Sequence, residues 1–275
     1  MFYHDGGKLQ YPVRVDRPNP MFAKALQQAI GGIQGEIRVC LQYLFQAWGC
    51  RGPTKYRDML LETGTEEIGH IEMLSTAVAL NLEGCPAEME KAAEDPVIAA
   101  TLGGMNIQHI LTTCMAAMPV DASGVPFNCS HVYASGNIAA DMLSNAMAES
   151  TGRMLAVQLF KLTDDPGMKD MLRYLIARDT MHQNQYLAVW EELGGPACHP
   201  IPNSFPQDEE PQDYNYSFLT FGKDETVPQA TGAWTEGPSF DGRKSFSALH
   251  MTPQGQKPDL GSASPKSGAQ LEQMK

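Results

Sequence analysis

The chain places two acid–imidazole pairs where a helix should be apolar. Glu67-x-x-His70 and Asp179-x-x-His182 each space a carboxylate and an imidazole three residues apart. On a helix that spacing is one face, one turn along. The first face runs Leu60, Thr63, Gly64, Glu67, His70, Leu74 and Val78. The second runs Leu172, Leu175, Ile176, Asp179, His182, Tyr186 and Val189. A buried charge without a partner costs several kcal/mol. Either these stripes are exposed, or the charges share a cationic partner.

The helical periods around them are long. A first helix is expected from about Pro20 to Trp48, with Pro20 suited to a first turn and apolar residues from Leu26 to Leu44 at helical spacing. Glu36 interrupts its stripe Ala29, Ile33, Glu36, Cys40, Tyr43, Ala47. Gly31, Gly32 and Gly35 cost about 1 kcal/mol each in a helix, which close helix approach would explain. A second helix is expected over about Thr54–Leu82, stopped by Gly84 and Pro86. A third starts at the cap Asn137 and reaches about Leu162, with Glu149 in mid-stripe. A fourth runs from about Pro166 to Leu193 before Gly194-Gly195-Pro196. Residues 86–136 form a crossover with short helical pieces at about 87–94 and 104–118 and a turn-rich loop at 121–128. A ferritin-like bundle has one such long crossover between its second and third helices.

The reading is therefore all-α: an extended arm over 1–19, a four-helix-bundle catalytic domain over 20–193 and a long irregular tail over 194–275. The tail holds ten of the nineteen prolines and no persistent period, so it has no core of its own. Its aromatic residues, from Phe205 to Phe246, suit wrapping on this or a neighbouring subunit. Beyond about 255 it is expected to be mobile.

Taken singly, each charged residue has an ordinary reading: a Glu-x-x-His pair on an amphipathic helix is usually solvated or salt-bridged. The conjunction is different. Glu36; Glu67 and His70; Glu149; and Asp179 and His182 lie near mid-length on four successive helices. Di-iron and di-manganese carboxylate bundles take a Glu from two helices and Glu-x-x-His from the other two. Such a set of inward carboxylates is repulsive unless divalent cations neutralise it. Oxygen and imidazole ligands without thiolate suit manganese or iron alike. Tyr43, on the Glu36 face, is either a hydrogen-bond donor to the site or a core tyrosine. His109 and most of the sixteen methionines read as structural.

Composition narrows the partners. A net charge of −12 over 275 residues argues against nucleic acid and anionic membranes. No run approaches the ~18 apolar residues of a membrane span, and the N-terminus lacks the pattern of a signal peptide. A cytoplasmic location is the expectation. Six cysteines without CxxC spacing read as reduced thiols.

Several segments together resemble the non-haem manganese catalases. They are Lys8-Leu9-Gln10-Tyr11-Pro12-Val13, Gly64 through Met73, Ala122-Ser123-Gly124-Val125-Pro126-Phe127, Ala148-Glu149-Ser150 and Ile176 through Gln183. The resemblance implies 2 H2O2 → 2 H2O + O2 at two manganese ions cycling between the II,II and III,III states. It implies Glu67 as the bridging carboxylate, Glu36 and His70 on one ion, and Glu149 and His182 on the other. Asp179 and Tyr43 would act beside the metals. The family usually has Glu at the position of Asp179, and some members have Arg at that of Ala148. It also implies a homohexamer and, in some members, a calcium site, here Asp58, Glu62, Asn215, Ser217 and the carbonyl of Leu219. A di-iron peroxidase, oxidase or iron-handling ferritin-like protein is the alternative, and lacks the CxxC iron site usual in rubrerythrin-like peroxidases. A coat-like structural protein on a degenerate bundle would not keep every ligand.

Overall fold

The computed structural model describes residues 6–84, 94, 96, 116–198, 206–221, 231–252 and 255–258. His109, most of the crossover and the terminus from 259 lie outside the described residues. Of the expected helix at 104–118, residues 116–118 are described and are not helical. The chain divides into two compact units, Met1–Pro202 and Asn203–Lys275.

The first unit carries helices α1 (Pro20–Gly31), α2 (Glu36–Gly49), α3 (Thr54–Asn81), α4 (Ile138–Leu162) and α5 (Pro166–Glu192). Their starts are set by side chains that accept the free amides of a first turn. Asn19 accepts from Phe22 N, Asn137 from Ala139 N and Ala140 N, and Asp165 from Met168 N. The other Asp165 oxygen accepts from the amides of Asp16 and Arg17 at 2.8 and 2.9 Å. One carboxylate thus caps α5 and ties down the arm.

The expected first helix is two helices. Gly32 and Gly35 are extended, with ψ of 168° and 167°, and Ile33, expected on the inner stripe, is 46% exposed. What approaches the glycines closely is chiefly a loop. A Cβ on Gly31 would overlap the backbone of Val120, and the carbonyl of Gln34 lies 3.5 Å from where a Cβ on Gly152 of α4 would stand. The break makes Glu36 the first residue of α2 and turns it back toward the bundle interior.

α1 and α2 pack on α3, and α4 packs on α5. The buried residues fall into two apolar groups. One holds Phe22, Leu26, Ile30, Met73, Leu74, Met168 and Leu172. The other holds Val39, Tyr43, Leu60, Met142, Tyr186 and Trp190. Along α3 and α4 the charged residues separate them: Glu67 lies between Leu60 and Leu74, and Glu149 between Met142 and Leu159. The arm is irregular and lays Leu9, Tyr11, Val13 and Val15 on the first group. Tyr11 stacks on Tyr174 at 4.5 Å, and Gln10 Nε2 donates to the Glu66 carbonyl at 2.8 Å. Gly69 makes room, since a Cβ there would overlap the Gln10 side chain. Among the described residues no helix is long and apolar enough to cross a membrane, and Cys40, Cys50 and Cys129 are free thiols.

The second unit is not wholly irregular. Strands β1 (Ser217–Phe221), β2 (Gly237–Pro238) and β3 (Ser245–Met251) form a sheet in the order β1-β3-β2. β1 and β3 run parallel with Ser217 opposite Ser247, and β2 is antiparallel to β3. β3 alternates exposed and half-buried residues along most of its length. Its partner β1 comes from far upstream, so the pairing leaves little local signal.

Replacing Gly31 by Val should destabilise the protein by ~1–3 kcal/mol, because the Val120 backbone cannot yield like a side chain. Gly49→Ala, where a Cβ meets nothing within 4 Å, should stay within ~0.5 kcal/mol of wild type or gain. Thermal denaturation of the two variants checks this; equal melting temperatures would contradict it.

Candidate metal centre

Helix geometry brings five of the expected residues together. Glu36, Glu67 and His70 form one potential metal-holding group, and Glu67, Glu149 and His182 a second. Within each group the donor atoms lie within 4.8 Å of one another. Glu67 belongs to both. Its Oε2 is 2.6 Å from His70 Nδ1 and its Oε1 is 3.0 Å from His182 Nδ1. Beyond it, Glu36 Oε2 stands 3.9 Å from His70 Nδ1, and Glu149 Oε1 stands 3.5 Å from His182 Nδ1. The two rings are 5.9 Å apart and inclined by 25°. The halves are thus related about Glu67.

The donor set fits a divalent cation pair. Glu67, His70 and His182 are buried, yet both Glu67 oxygens and the Nδ1 atoms of the two histidines make no aligned hydrogen bond. Close donors that face one another without aligning leave their lone pairs free for a common centre. The charges tell the same story. Burial, then the neighbouring Glu67, pushes Glu36 up to about 7. Burial also opposes charge on Glu67, but His70 and His182 outweigh it and hold that carboxyl down to about 2. Burial disfavours a charged His182, and its contacts with Glu149, Glu66 and Glu67 overcome this and push it up to about 12. His70 is raised well above its ordinary value in the same way, chiefly by Glu67. Protons therefore occupy the histidines wherever a cation does not.

Around these five, Tyr43 donates its hydroxyl proton to Glu149 Oε1, which makes it a neighbour of the site rather than a bystander in the core. Tyr186, one ring away at 5.0 Å, is fully buried. Asp179 is 5% exposed and belongs to neither donor group. Burial, then Glu36 and Glu149, raises its carboxyl well above the usual range. Its Oδ2 is 3.9 Å from where a Cβ on Gly152 would stand. Ala148 is buried on α4.

The apolar stripe read from the sequence includes Glu67 and leaves Glu66 out. The structure gives Glu66 a place of its own. Its Oε1 lies 3.4 Å from His70 Nε2 and its Oε2 lies 3.2 Å from His182 Nε2, and Arg178 reaches both oxygens at 2.6 and 3.2 Å. The i,i+4 spacings Glu66–His70 and Arg178–His182 were the available signal.

The expected calcium ligands divide between the units. Asp58 and Glu62 are exposed on α3, and Arg57 pairs with Asp58 at 2.9 Å. In the second unit Lys244 Nζ stands 3.5 Å from Asn215 Oδ1, Ser217 Oγ donates to the Asp213 carbonyl, and Leu219 lies in β1.

A family profile described as manganese-containing catalase matches residues 1–274. The chain belongs to the manganese catalase family. Over 266 residues it is 45% identical to the manganese catalase of Bacillus subtilis, covering 96% of each chain. It is 42% identical over 193 residues to that of Lactiplantibacillus plantarum, covering 70% of this chain and 72% of the relative. The fold is that of KatB, a manganese catalase from Anabaena, with a TM-score of 0.72 at 22% identity, covering 90% of this chain and 99% of that one. Membership makes this chain a manganese-dependent catalase, with hydrogen peroxide as substrate.

Two outcomes follow from the electrostatics. Glu67→Ala should abolish manganese retention on a desalting column, since it removes a donor from both groups; retention at wild-type level would overturn its place at the centre. The protons on Glu36, His70 and His182 must leave before a cation binds. Apparent Mn(II) affinity should therefore rise between pH 6 and pH 8 by ~10-fold or more per unit. A flat or falling profile in an equilibrium titration would contradict it.

Proposed function

We propose that the chain carries out 2 H2O2 → 2 H2O + O2 at two manganese ions that share Glu67. Glu36 and His70 hold one ion, and Glu149 and His182 hold the other. The observation behind this is that the two oxygens of a single buried carboxylate face different imidazoles, at 2.6 and 3.0 Å. Bound manganese supplies a couple between II,II and III,III that exchanges two electrons with peroxide.

The protein's share is position and protons. Reducing one peroxide to two waters takes up two protons, and oxidising another to O2 releases two. A buried carboxyl that gives up its proton less readily than usual serves both half-cycles. Asp179 meets that need: it is buried, and the nearby Glu36 and Glu149 oppose its ionisation. Tyr43 donates to Glu149 and so fixes that ligand's orientation. Among the five ligand side chains Glu36 is 15% exposed, while the other four are 4% or less. Peroxide accordingly enters beside Glu36, past the break between α1 and α2.

The resemblance also supports a homohexamer in the cytoplasm and a calcium ion held by oxygen donors.

Metal analysis and an oxygen-electrode assay on the same sample test the reading. It expects two manganese per chain and O2 evolution without added reductant; fully loaded protein that evolves no O2 would overturn it. Asp179→Asn should keep its manganese and lose ~10²–10⁴-fold in turnover. Wild-type turnover in that variant would remove Asp179 from the proton path.

A further inference from the structure

One side chain touches both halves of the centre from outside. Glu66 lies one residue before Glu67 on α3, so it points away from the space between the two histidines and toward their outer edges. The rings of His70 and His182 turn Nδ1 inward to Glu67 and Nε2 outward to Glu66. Each Glu66 oxygen faces a different ring, at 3.4 and 3.2 Å. Glu67 and Glu66 thus bracket the same pair of imidazoles from opposite edges.

The bracket is itself held. Arg178 Nε donates to Glu66 Oε1 at 2.6 Å and its terminal nitrogen to Oε2 at 3.2 Å. A two-pronged guanidinium fixes both the position and the plane of a carboxylate, which a point charge would not do. Arg178 sits on α5, one turn before His182, while Glu66 sits on α3, one turn before His70. The clasp joins the two helices at the level of the site. Gln10 of the arm adds a hydrogen bond to the Glu66 carbonyl, which pins the same turn.

We infer that Glu66, clasped by Arg178, is a positioning residue that orients both histidine ligands at once and so couples the two metal positions. The inference rests on the two-ion reading above. An imidazole that ligates through Nδ1 keeps its proton on Nε2, and an acceptor there fixes the tautomer and the ring plane and makes the ligand more basic. Most such acceptors serve one ligand. Here one carboxylate serves two, so a ring turned by the first ion moves the acceptor of the second. Glu67 couples the ions through their donors; Glu66 couples them through the rings.

The test is manganese titration of the full-length protein and of Glu66→Ala, Glu66→Gln, Arg178→Lys and Arg178→Met. Binding isotherms are read alongside the low-temperature EPR spectrum of the Mn(II) pair and the melting temperature of the metal-free protein. Glu66→Ala should weaken both ions together by ~10–100-fold and change the coupled EPR spectrum, with the metal-free melting temperature held. Glu66→Gln, which keeps one acceptor oxygen, should recover part of the loss. Arg178→Met should weaken both ions by less than Glu66→Ala does, and Arg178→Lys by less again. Wild-type affinity and spectrum in Glu66→Ala, loss at one ion only, or affinity lost only in step with the melting temperature would each overturn the inference. A wild-type chain that holds one ion would instead overturn the two-ion reading, and the coupling with it.

Discussion

The bundle is built around a carboxylate that cannot stay there alone. Glu67 is buried in mid-helix between Leu60 and Leu74, where an unpaired charge costs several kcal/mol. Its two oxygens face two imidazoles from two helices, and three more acids crowd the same space. Attraction among these groups alone requires protons on both histidines. In the function proposed above, two divalent cations would replace those protons and neutralise the acids together. The chemistry that makes the centre costly to bury is the chemistry that makes it hold manganese.

The surrounding architecture follows from placing those donors. The apolar core is split in two, with one group of side chains on each side of the charged layer. The break after α1 makes Glu36 a helix-start residue and leaves it the most exposed of the five grouped donors. Tyr43 holds Glu149 from within α2, and Arg178 and Glu66 hold the histidines from outside. Asp179 stands beside the layer without entering either donor group, where burial and its neighbours raise its carboxyl above the usual range. The charged layer thus has a buried carboxyl beside it on α5, its most exposed member at the start of α2 and a clasp that joins α3 to α5.

Much of this was legible in the residues. The helix limits at α3, α4 and α5 follow from caps and stops: Asn137 accepts the first-turn amides of α4 where the sequence places the cap, and α5 starts at the expected Pro166. The five donors that meet in the interior, Glu36, Glu67, His70, Glu149 and His182, each interrupt an apolar helical stripe, and Glu67 and His70 share i,i+3 spacing. The continuity of the first helix was misjudged at Gly32 and Gly35, because helix propensity alone does not register the loop at Val120 pressing on Gly31. The tail strands were missed because β1 and β3 pair across a long connection. Glu66 falls outside the predicted stripe because a helix wheel assigns a residue to one face, while its long side chain reaches two rings on two helices.

The sequence by itself determined which residues could share a metal. Spacing along a helix is a local property, and it puts Glu67 with His70 and Asp179 with His182 whatever the helices pack against. Tertiary structure decided how those pairs divide the work. Only packing shows that Glu67 faces both imidazoles while Asp179, at the same spacing from its own histidine, stands apart from both donor groups. The reason is that a ligand's role depends on distances between helices, set by side chains and glycines far along the chain. No local period carries that information.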